Sequence, residues 1–240
     1  MKPIEVCWLG RVDYRQALEL QTELIAARRD DRVGDQLMLL EHPPVITLGR
    51  NSDRDNLLQD EATLADAGVE LHEVGRGGDV TYHGPGQLVG YPLLKLEGDE
   101  RDAHAYLRRL EQGLIDFATH YRIVADRQPG LTGIWVGQEK LAAIGVRLST
   151  GWITSHGFAL NVSTDLRGFS RIVPCGIQGR GVTSLQRLLA TPPSLEGAAE
   201  VASAAVSAAL NRAPTALRRA PSWSDVVSWP RKAAGQGEQQ

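Results

Sequence analysis

The chain has 240 residues, of which 42% are hydrophobic and 23% are charged, and its formal net charge is −3. These values are typical of one ordinary globular domain, and they argue against a nucleic-acid binder, which normally carries a strong basic excess. No apolar run is long enough to span a membrane, the N-terminus does not resemble a signal peptide, and two cysteines suit a reducing cytoplasm.

The N-terminal part of the chain mixes strand and helix patterns. Residues 4–9 predict a strand, and Asp13 is suited to cap a helix whose apolar residues recur at helical spacing. Two buried strands are predicted at residues 37–40 and 45–48, on either side of a Pro-Pro break. A short helix is predicted at residues 60–67.

A glycine-rich segment, RGGDVTYHGPGQ at residues 76–87, is the most informative stretch of the chain. Glycine and proline allow sharp turns and close approach to a ligand, and the arginine, aspartate and histidine can bind a polar group. Apolar runs at residues 69–74 and 88–92 flank it, which predicts a strand, a ligand loop and a second strand. The segment matches neither the Walker nor the dinucleotide motif. The alternative to a ligand loop is an elaborate turn that binds nothing.

The remaining elements complete a mixed pattern. They are a helix after Asp102, strands at residues 134–136, 141–146 and 153–162, and a helix of small residues at 195–208. Lys140 stands in a predicted turn at residues 137–140, and residues 231–240 are predicted to form a flexible tail beyond a single domain at residues 1–230. This order predicts an α+β (mixed α/β) fold, with a mixed, largely antiparallel sheet and flanking helices.

Cys175 is the candidate nucleophile, because it stands between a proline and a glycine in a turn rather than in a regular apolar element. This context alone leaves a structural and a reactive role equally open. A reactive thiol needs a lowered pKa, for which Lys140, His83 and His156 are candidate neighbours. Cys7 lies in an apolar strand pattern and is predicted to be a core residue.

Four motifs in one order resemble the lipoyl(octanoyl) transferases of lipoate biosynthesis. They are the glycine-rich segment, KLAAIGV at residues 140–146, HGFALNV at residues 156–162, and PCGI at residues 174–177. The resemblance runs from about Val6 to the last helix. It implies the catalytic-domain fold shared by biotin and lipoate protein ligases, and transfer of octanoyl from acyl carrier protein to a specific lysine of a lipoyl domain.

The resemblance also implies roles for individual residues. Cys175 corresponds to the nucleophile that carries the acyl thioester, and Lys140 to the residue that lowers its pKa, with His156 in a supporting role. The substrate-lining positions are Arg76, Gly77, Gly78, Asp79, Val80, Thr81, Tyr82, His83, Ala143, Ile144, Gly145, Gly157, Phe158 and Ala159.

The implied reaction uses no cofactor and no metal, and the chain lacks metal-ligand spacings in its sequence. The expected partners are octanoyl-acyl carrier protein as donor, and lipoyl domains of 2-oxoacid dehydrogenase complexes and the glycine cleavage H protein as acceptors. A cytoplasmic monomer that contacts neither membrane nor nucleic acid is expected. Two alternatives are an ATP-dependent lipoate or biotin ligase and a non-catalytic acyl-binding protein. Arginines expected to dock acidic carriers are Arg76, Arg147, Arg167, Arg171 and Arg180.

Overall fold

The computed structural model describes residues 1–174 and 180–220, and two sheets organise this part of the chain. The strands of the larger sheet are β1 Lys2–Arg11, β2 Asp35–Glu41, β6 Gln87–Leu93, β7 Asp126–Gln128, β8 Leu131–Val136, β9 Glu139–Ser149, β10 Ile153–Asn161, β11 Gly181–Val182, β12 Arg212–Pro214 and β13 Arg218–Arg219. The smaller sheet contains β3 Val45–Leu48, β4 Glu70–Glu73 and β5 Val80–His83. The helices are α1 Tyr14–Arg29, α2 Glu61–Asp66, α3 Ala103–His120, α4 Leu185–Leu188 and α5 Leu195–Ala209, with 3₁₀ turns at Arg54–Asn56, Gly98–Glu100 and Leu166–Arg171.

The larger sheet has the order β12-β1-β2-β6-β10-β9-β8-β7, while β11 pairs with β9 and β13 with β1. Its path from β2 to β7 is antiparallel, whereas β1 pairs in parallel with β2, β12 and β13. The smaller sheet has the order β4-β3-β5. A mixed sheet with flanking helices is the predicted fold class, and the structure confirms it.

The central strands are buried on both faces because helices cover both sides of the sheet. Along β2, Leu37 and Leu39 pack in the core beneath α3 and α5, whereas Met38 and Leu40 pack beneath α1. All nine residues of β10 are buried, so its sequence does not alternate between apolar and polar residues. This burial explains why the faces of β10 could not be assigned from its sequence.

Two of the predicted helix starts are capped by aspartate side chains. The Asp102 carboxylate accepts hydrogen bonds from the backbone N–H groups of His104 (2.8 Å) and Ala105 (3.0 Å) at the start of α3. Asp60 accepts one from Thr63 (2.8 Å) at the start of α2. Asp13 occupies the N-cap position of α1, but its side chain makes no capping hydrogen bond.

The glycine-rich segment is only partly a loop. Residues 80–83 form β5, which pairs antiparallel with β3 from Val45↔His83 to Leu48↔Val80. The prediction of one continuous ligand loop at residues 76–87 is therefore wrong, because an alternating Val-Thr-Tyr-His stretch between the glycines finds a pairing partner in β3. The segment contains a loop, a short strand and a turn. No helix within residues 1–174 and 180–220 has the length and apolar character needed to cross a membrane.

A buried ion-pair network fastens the end of the described chain to the sheet. Arg212 on β12 has a side chain only 1% exposed, and its guanidinium donates to the carboxylates of Asp35 (2.6 Å) and Glu100 (2.6 Å). Hydrogen bonding from Arg212 lowers the pKa of Glu100 to about 2. Asp35 also accepts from Arg28 (2.8 Å). The network therefore connects residues far apart in the sequence.

Replacing Arg212 by alanine is expected to lower the free energy of unfolding by about 3 kcal/mol, because the buried Asp35 and the partly buried Glu100 lose the counter-charge that they share and keep only Arg28 and Lys2. Urea denaturation at pH 7 measures the change. The matched control is Arg187→Ala, since the Arg187 side chain is 58% exposed and its ion pair with Glu139 is 3.4 Å long. That change should cost less than about 1 kcal/mol. Equal losses in the two variants would contradict the structural role of Arg212.

Three buried histidines lie between α1 and the sheets. His42 is completely buried, with Nδ1–H donating to the Val12 carbonyl and Nε2 accepting from the Tyr91 hydroxyl, both at 2.7 Å. Burial lowers the pKa of His42 to about 4, of His83 to about 3 and of His156 to about 4. All three side chains are therefore neutral near pH 7.

The histidines predict how stability depends on pH. Between about pH 4 and 6.5 the unfolded chain binds more protons than the fold, so the free energy of unfolding should decrease as the pH falls through this window. We expect a loss of about 3–6 kcal/mol between pH 7 and 5, measured by urea denaturation. Glu100 also contributes to the free energy of unfolding. This contribution is lost at lower pH, as the pH falls from about the ordinary pKa of 4.5 to about 2.

The exposed His120 supplies the control, because His120→Gln should leave the pH dependence unchanged. His42→Gln, which removes one of the buried titrating groups, should make the decrease less steep. A denaturation midpoint that stays constant from pH 7 to 5 would show that the buried histidines do not govern stability in this range.

Candidate functional site

The glycine-rich segment lies against the edge of β9, close to the middle of the larger sheet. Gly77 N–H donates to the Val146 carbonyl at 2.8 Å, which joins the loop to the strand. The Asp79 carboxylate accepts from Asn56 Nδ2 (2.6 Å) and from the Asp53 backbone N–H (3.2 Å). The loop is therefore held from both sides by hydrogen bonds.

Arg76 stabilises this arrangement from the inside. The residue is only 7% exposed, and its guanidinium donates to the Thr47 carbonyl (2.7 Å), the Thr47 hydroxyl (2.8 Å) and the Gly77 carbonyl (3.1 Å). Its side chain thus spans β3 and the glycine loop instead of facing the surface. A role in docking a carrier protein, which the sequence suggested for Arg76, does not agree with this burial.

A narrow cavity of about 50 Å³ opens beside the loop. Its lining contains predicted residues from all the strands of the site: Arg76, Gly78, Asp79, Val80, Thr81, His83, Ala143, Ile144, Gly145, Gly157, Phe158 and Ala159. His156 lines it as well, together with three residues that the sequence did not suggest, Tyr14, Val89 and Tyr91. We call this the narrow cavity.

Two predicted residues lie elsewhere. Tyr82 points away from the narrow cavity into the core of the smaller sheet, where its ring lies 5.4 Å from that of Phe169. Gly77 lines a wider, neighbouring groove. The alternation of β5 explains the position of Tyr82, because the neighbouring Thr81 and His83 project to the opposite face.

Small residues in this region are needed for close packing of the backbone. A Cβ at Gly157 would lie 2.1 Å from the Gly90 carbonyl oxygen, and one at Gly90 would lie 2.2 Å from the Phe158 ring. Ala159 pairs with Ala143 across β10 and β9, and both line the narrow cavity. The same small residues therefore bring the strands together and leave space between them.

The histidines of the narrow cavity are not suitable as cations. His83 Nδ1 lies 2.7 Å from Gln87 Oε1, and because Gln87 Nε2 donates to Asn161 Oδ1 (2.9 Å), His83 carries its proton on Nδ1. Its pKa of about 3 results mainly from burial and then from His42. His156 has a pKa of about 4 because of burial and then the charges of Arg76 and Arg147.

Lys140 belongs to β9, so its predicted position in a turn is wrong. The register between β8 and β9 shifts from Trp135↔Lys140 to Ile134↔Ala142, which leaves Leu141 as an extra residue in β9. Such a β-bulge changes the face to which the preceding side chains point. Without it, Lys140 would share the face of Ala142 and Ile144, which pack in the core.

The bulge has a glycine opposite it. Gly133 has φ +116°, and a Cβ there would lie 2.4 Å from the Ala142 carbonyl oxygen. Its N–H donates to the buried carboxylate of Glu111 at 3.2 Å, and Arg108 and Arg127 pair with the same carboxylate. A glycine and an anchored carboxylate on neighbouring elements therefore support the irregular part of β9.

The Lys140 side chain lies in a buried, partly aromatic environment. The residue is 6% exposed, and Nζ lies 4.8 Å from the centroid of the Trp135 ring, over its face. The guanidinium carbon of Arg180 lies 5.3 Å from the same ring. Cation–π contact of this kind stabilises a charged amine that is partly removed from water. The contact with Trp135 was not predicted, although Trp135 stands on the strand preceding the Lys140 hairpin.

Lys140 also lines a small cavity of about 10 Å³, which we call the junction cavity. The junction cavity shares Thr81, Ala143 and Ala159 with the narrow cavity, and Pro174 is also part of its lining. Cys175, the predicted nucleophile, lies outside the described residues. Pro174 is the last described residue before it, and it lies on the same small cavity as Lys140.

A chain of hydrogen bonds connects the junction cavity with the segment after residue 180. Asn161, which accepts from Gln87, donates through Nδ2 to the Thr183 carbonyl at 3.0 Å. The Thr183 N–H donates in turn to the Lys140 carbonyl at 3.0 Å. Gln87 and Asn161 were not predicted as site residues. Their polar side chains at the ends of two apolar strands were the available signal.

An open groove of about 620 Å³ lies on the other side of the glycine loop. It is bordered by Arg50, the loop, the start of α3, the β7–β8 turn and β9, and Lys140 is among its lining residues. The groove and the narrow cavity share Gly78, Asp79, Ile144 and Gly145. In residues 1–174 and 180–220, His, Cys, Asp and Glu side chains form no group of three or more that could hold a metal ion.

Comparison with known proteins relates this geometry to a family. The family described as the lipoyl protein ligase A/B catalytic domain matches residues 13–236. An octanoyltransferase of Solibacter usitatus is 58% identical over 180 residues, covering 75% of this chain and 81% of the relative. An octanoyltransferase of a Roseiflexus species is 42% identical over 226 residues, covering 93% and 94% of the two chains.

Solved structures with the same fold have much lower sequence identity. A lipoate-protein ligase A bound with ATP superposes with a TM-score of 0.69 at 15% identity, covering 92% of this chain and 89% of the other. A bipartite lipoate protein ligase of Thermoplasma acidophilum gives a TM-score of 0.68 at 15% identity, covering 92% of this chain and 88% of the other. These likenesses show the fold alone. From the family match and the identities to its curated relatives, the chain belongs to the octanoyltransferases of the lipoyl protein ligase A/B catalytic domain family.

Proposed function

We propose that the chain transfers octanoyl from octanoyl-acyl carrier protein to a lysine of lipoyl domains through a thioester on Cys175. The observation that carries this mechanism is the position of Lys140, which the bulge in β9 turns toward the junction cavity that Pro174 also lines. The Lys140 amine is buried beside the place where the cavities and the open groove meet. It can therefore stabilise a thiolate that reacts with a thioester at this place.

The reaction has two steps. The Cys175 thiolate attacks the carbonyl carbon of the donor, the C–S bond to the carrier breaks, and the carrier thiolate leaves and takes up a proton. The amine of the acceptor lysine then attacks the enzyme thioester, an amide forms, a proton is lost and the Cys175 thiolate is regenerated. The first step exchanges one thioester for another, and amide formation makes the second step favourable without ATP. Covalent catalysis also allows the two carriers to bind in turn.

The narrow cavity is the proposed site for the acyl chain. Each methylene of the octanoyl chain that is buried there is worth ~0.8 kcal/mol. Val89, Phe158 and Ala159 supply apolar surface, and the neutral His83 and His156 add no charge near pH 7. The charged Arg76 and Asp79 in the lining are held by hydrogen bonds with Thr47 and Asn56, so the remaining surface favours an alkyl chain over a charged one.

Lys140 is the proposed activator of the thiol. A thiolate is stabilised by a nearby ammonium, and His83 and His156 carry no charge near pH 7. The Trp135 ring holds the amine from one side. Lys140 is thus better suited than either histidine to lower the pKa of Cys175.

The finer assignments follow from this chemistry. We expect one catalytic domain at residues 1–230 acting as a monomer. We expect it in the cytoplasm, where thiols stay reduced. The acceptors would be lipoyl domains of 2-oxoacid dehydrogenase complexes and the glycine cleavage H protein. Residues 221–240 lie outside the described residues, and the predicted tail at 231–240 is among them.

An ATP-dependent ligase is the second candidate that the fold allows, since ligases are among its structural neighbours. It would form an acyl adenylate and would not need Cys175. An ATP–pyrophosphate exchange assay with octanoate distinguishes the two, because a transferase gives no exchange. A non-catalytic acyl-binding protein would give neither exchange nor transfer.

Cys175 should carry the acyl group. Incubation with octanoyl-acyl carrier protein, without acceptor, should add one octanoyl mass that hydroxylamine removes and that maps to the Cys175 peptide by mass spectrometry. The Cys7→Ser protein should still be labelled, because Cys7 is buried in β1. Labelling of Cys7, or full transfer activity in Cys175→Ser, would show that the thioester mechanism is wrong.

Lys140 should set the reactivity of Cys175. An ordinary thiol with a pKa near 8.5 is only a few per cent thiolate at pH 7, and Lys140→Ala should raise the pKa of Cys175 by one unit or more. The measurement is the rate of iodoacetamide alkylation against pH in a Cys7→Ser background. Lys140→Arg keeps a charge at a changed position and should restore the profile only partly. Identical profiles with and without Lys140 would reduce it to a substrate contact.

A further inference from the structure

The open groove carries more positive charge than an acyl chain or an acceptor lysine needs. Arg50, Lys140 and Arg147 line it, and Asp79 supplies the acidic side chain of its lining. The Asp79 carboxylate is already bound by Asn56 and by a backbone N–H. Within residues 1–174 and 180–220, Arg50 and Arg147 form no ion pair. The groove therefore has a net positive charge.

Both arginines lie against the beginning of the glycine loop. The Arg50 backbone N–H donates to the Arg76 carbonyl at 3.0 Å, which places Arg50 beside the beginning of the loop. Arg147 packs on the neighbouring Gly75, where a Cβ would lie only 2.7 Å from its Nη1 atom. Both residues are exposed to solvent. Two exposed guanidinium groups beside a glycine backbone form a suitable receptor for a phosphate.

The distance from Lys140 to Arg147 along β9 sets the length of a ligand that could reach both residues. Arg147 follows Lys140 by seven positions on this strand (147 − 140), which corresponds to at most about 23 Å at ~3.3 Å per residue. A phosphopantetheine arm has about thirteen bonds from sulfur to phosphorus and spans about 16 Å when extended, at the ~1.2 Å per bond of an extended chain. The long Arg147 side chain can cover the difference. An arm of this length reaches from the thioester at Lys140 to the two arginines.

We propose that the groove binds the phosphopantetheine arm of the acyl donor, with its phosphodiester at Arg50 and Arg147. The sulfur lies at the Lys140 end, and the two amides of the arm lie along the backbone of residues 75–79. The proposal rests on the proposed function, since it assumes a carrier thioester as donor. It assigns substrate recognition to the prosthetic arm as well as to the protein surface of the carrier.

Two small donors that differ only in the phosphate test the proposal. The measurement is the second-order rate of acylation of Cys175 by octanoyl-pantetheine and by octanoyl-4′-phosphopantetheine, followed by intact mass spectrometry without acceptor. The phosphorylated donor should react about tenfold faster or more with the wild-type protein, as expected for charge-assisted hydrogen bonds. In the Arg50→Gln/Arg147→Gln double variant the ratio of the two rates should fall to about one.

Matched variants separate charge from structure. Arg11→Gln/Arg32→Gln removes two exposed arginines that do not line the groove, and it should keep the wild-type ratio. Arg50→Lys/Arg147→Lys should retain an intermediate ratio, because lysine keeps the charge but not the bidentate geometry. Thermal unfolding checks that each variant is folded.

Other results would overturn the proposal. Equal rates for the two donors in the wild type, or a phosphate preference that survives in the double variant, would exclude the arginine site. If octanoyl-acyl carrier protein acylated Cys175 and neither small donor did, recognition would lie on the protein surface of the carrier. If ATP but not phosphopantetheine slowed the acylation of Cys175 in the wild type, the groove would be assigned to a nucleotide. Failure of all three donors to acylate Cys175 would instead contradict the proposed function.

Discussion

The irregular pairing of β9 with β8 is the constraint on which the site depends. One extra residue in β9 leaves Leu141 and Ala142 in the core and turns Lys140 to the face of Ala143 and Gly145. A regular strand would place the amine in an apolar core beneath α3, where burial of a charge is costly. Gly133, which accepts the close approach of the Ala142 carbonyl, makes this bulge possible. The position of one functional group therefore depends on backbone geometry in the neighbouring strand.

Close packing of β6, β10 and β9 forms the second constraint. Gly90 and Gly157 allow the Phe158 ring and the backbones to approach at distances that any Cβ would prevent. Larger side chains would separate the strands, displace the glycine loop from β9 and fill the narrow cavity. Since the same packing joins the central strands of the fold, substitutions at these glycines should affect stability and acyl binding together.

The sequence predicted the parts of the structure that local patterns determine. The cap Asp102, the short helix after Asp60, the strands around residues 37–48 and the mixed sheet follow from side-chain chemistry and spacing. The bulge at Leu141 and the pairing of β5 with β3 could not be predicted, because each depends on a partner strand remote in the sequence. Trp135, Gln87 and Asn161 were missed for the same reason: their roles arise from contacts between elements. The motifs located the narrow cavity well, but the open groove beside it combines residues from five separate segments.

The electrostatics of the site divide it into two compartments. On the side of the narrow cavity, burial keeps His42, His83 and His156 neutral, so the acyl chain meets no charged histidine near pH 7. On the side of the groove, Arg50 and Arg147 provide exposed positive charge. Lys140 lies where the compartments meet, next to the ring of Trp135. An amphipathic donor with an apolar chain on one side of its thioester and an anionic arm on the other can bind in only one direction across such a boundary. This polarity would orient the carbonyl carbon before any bond is formed, which reduces the entropic part of the barrier.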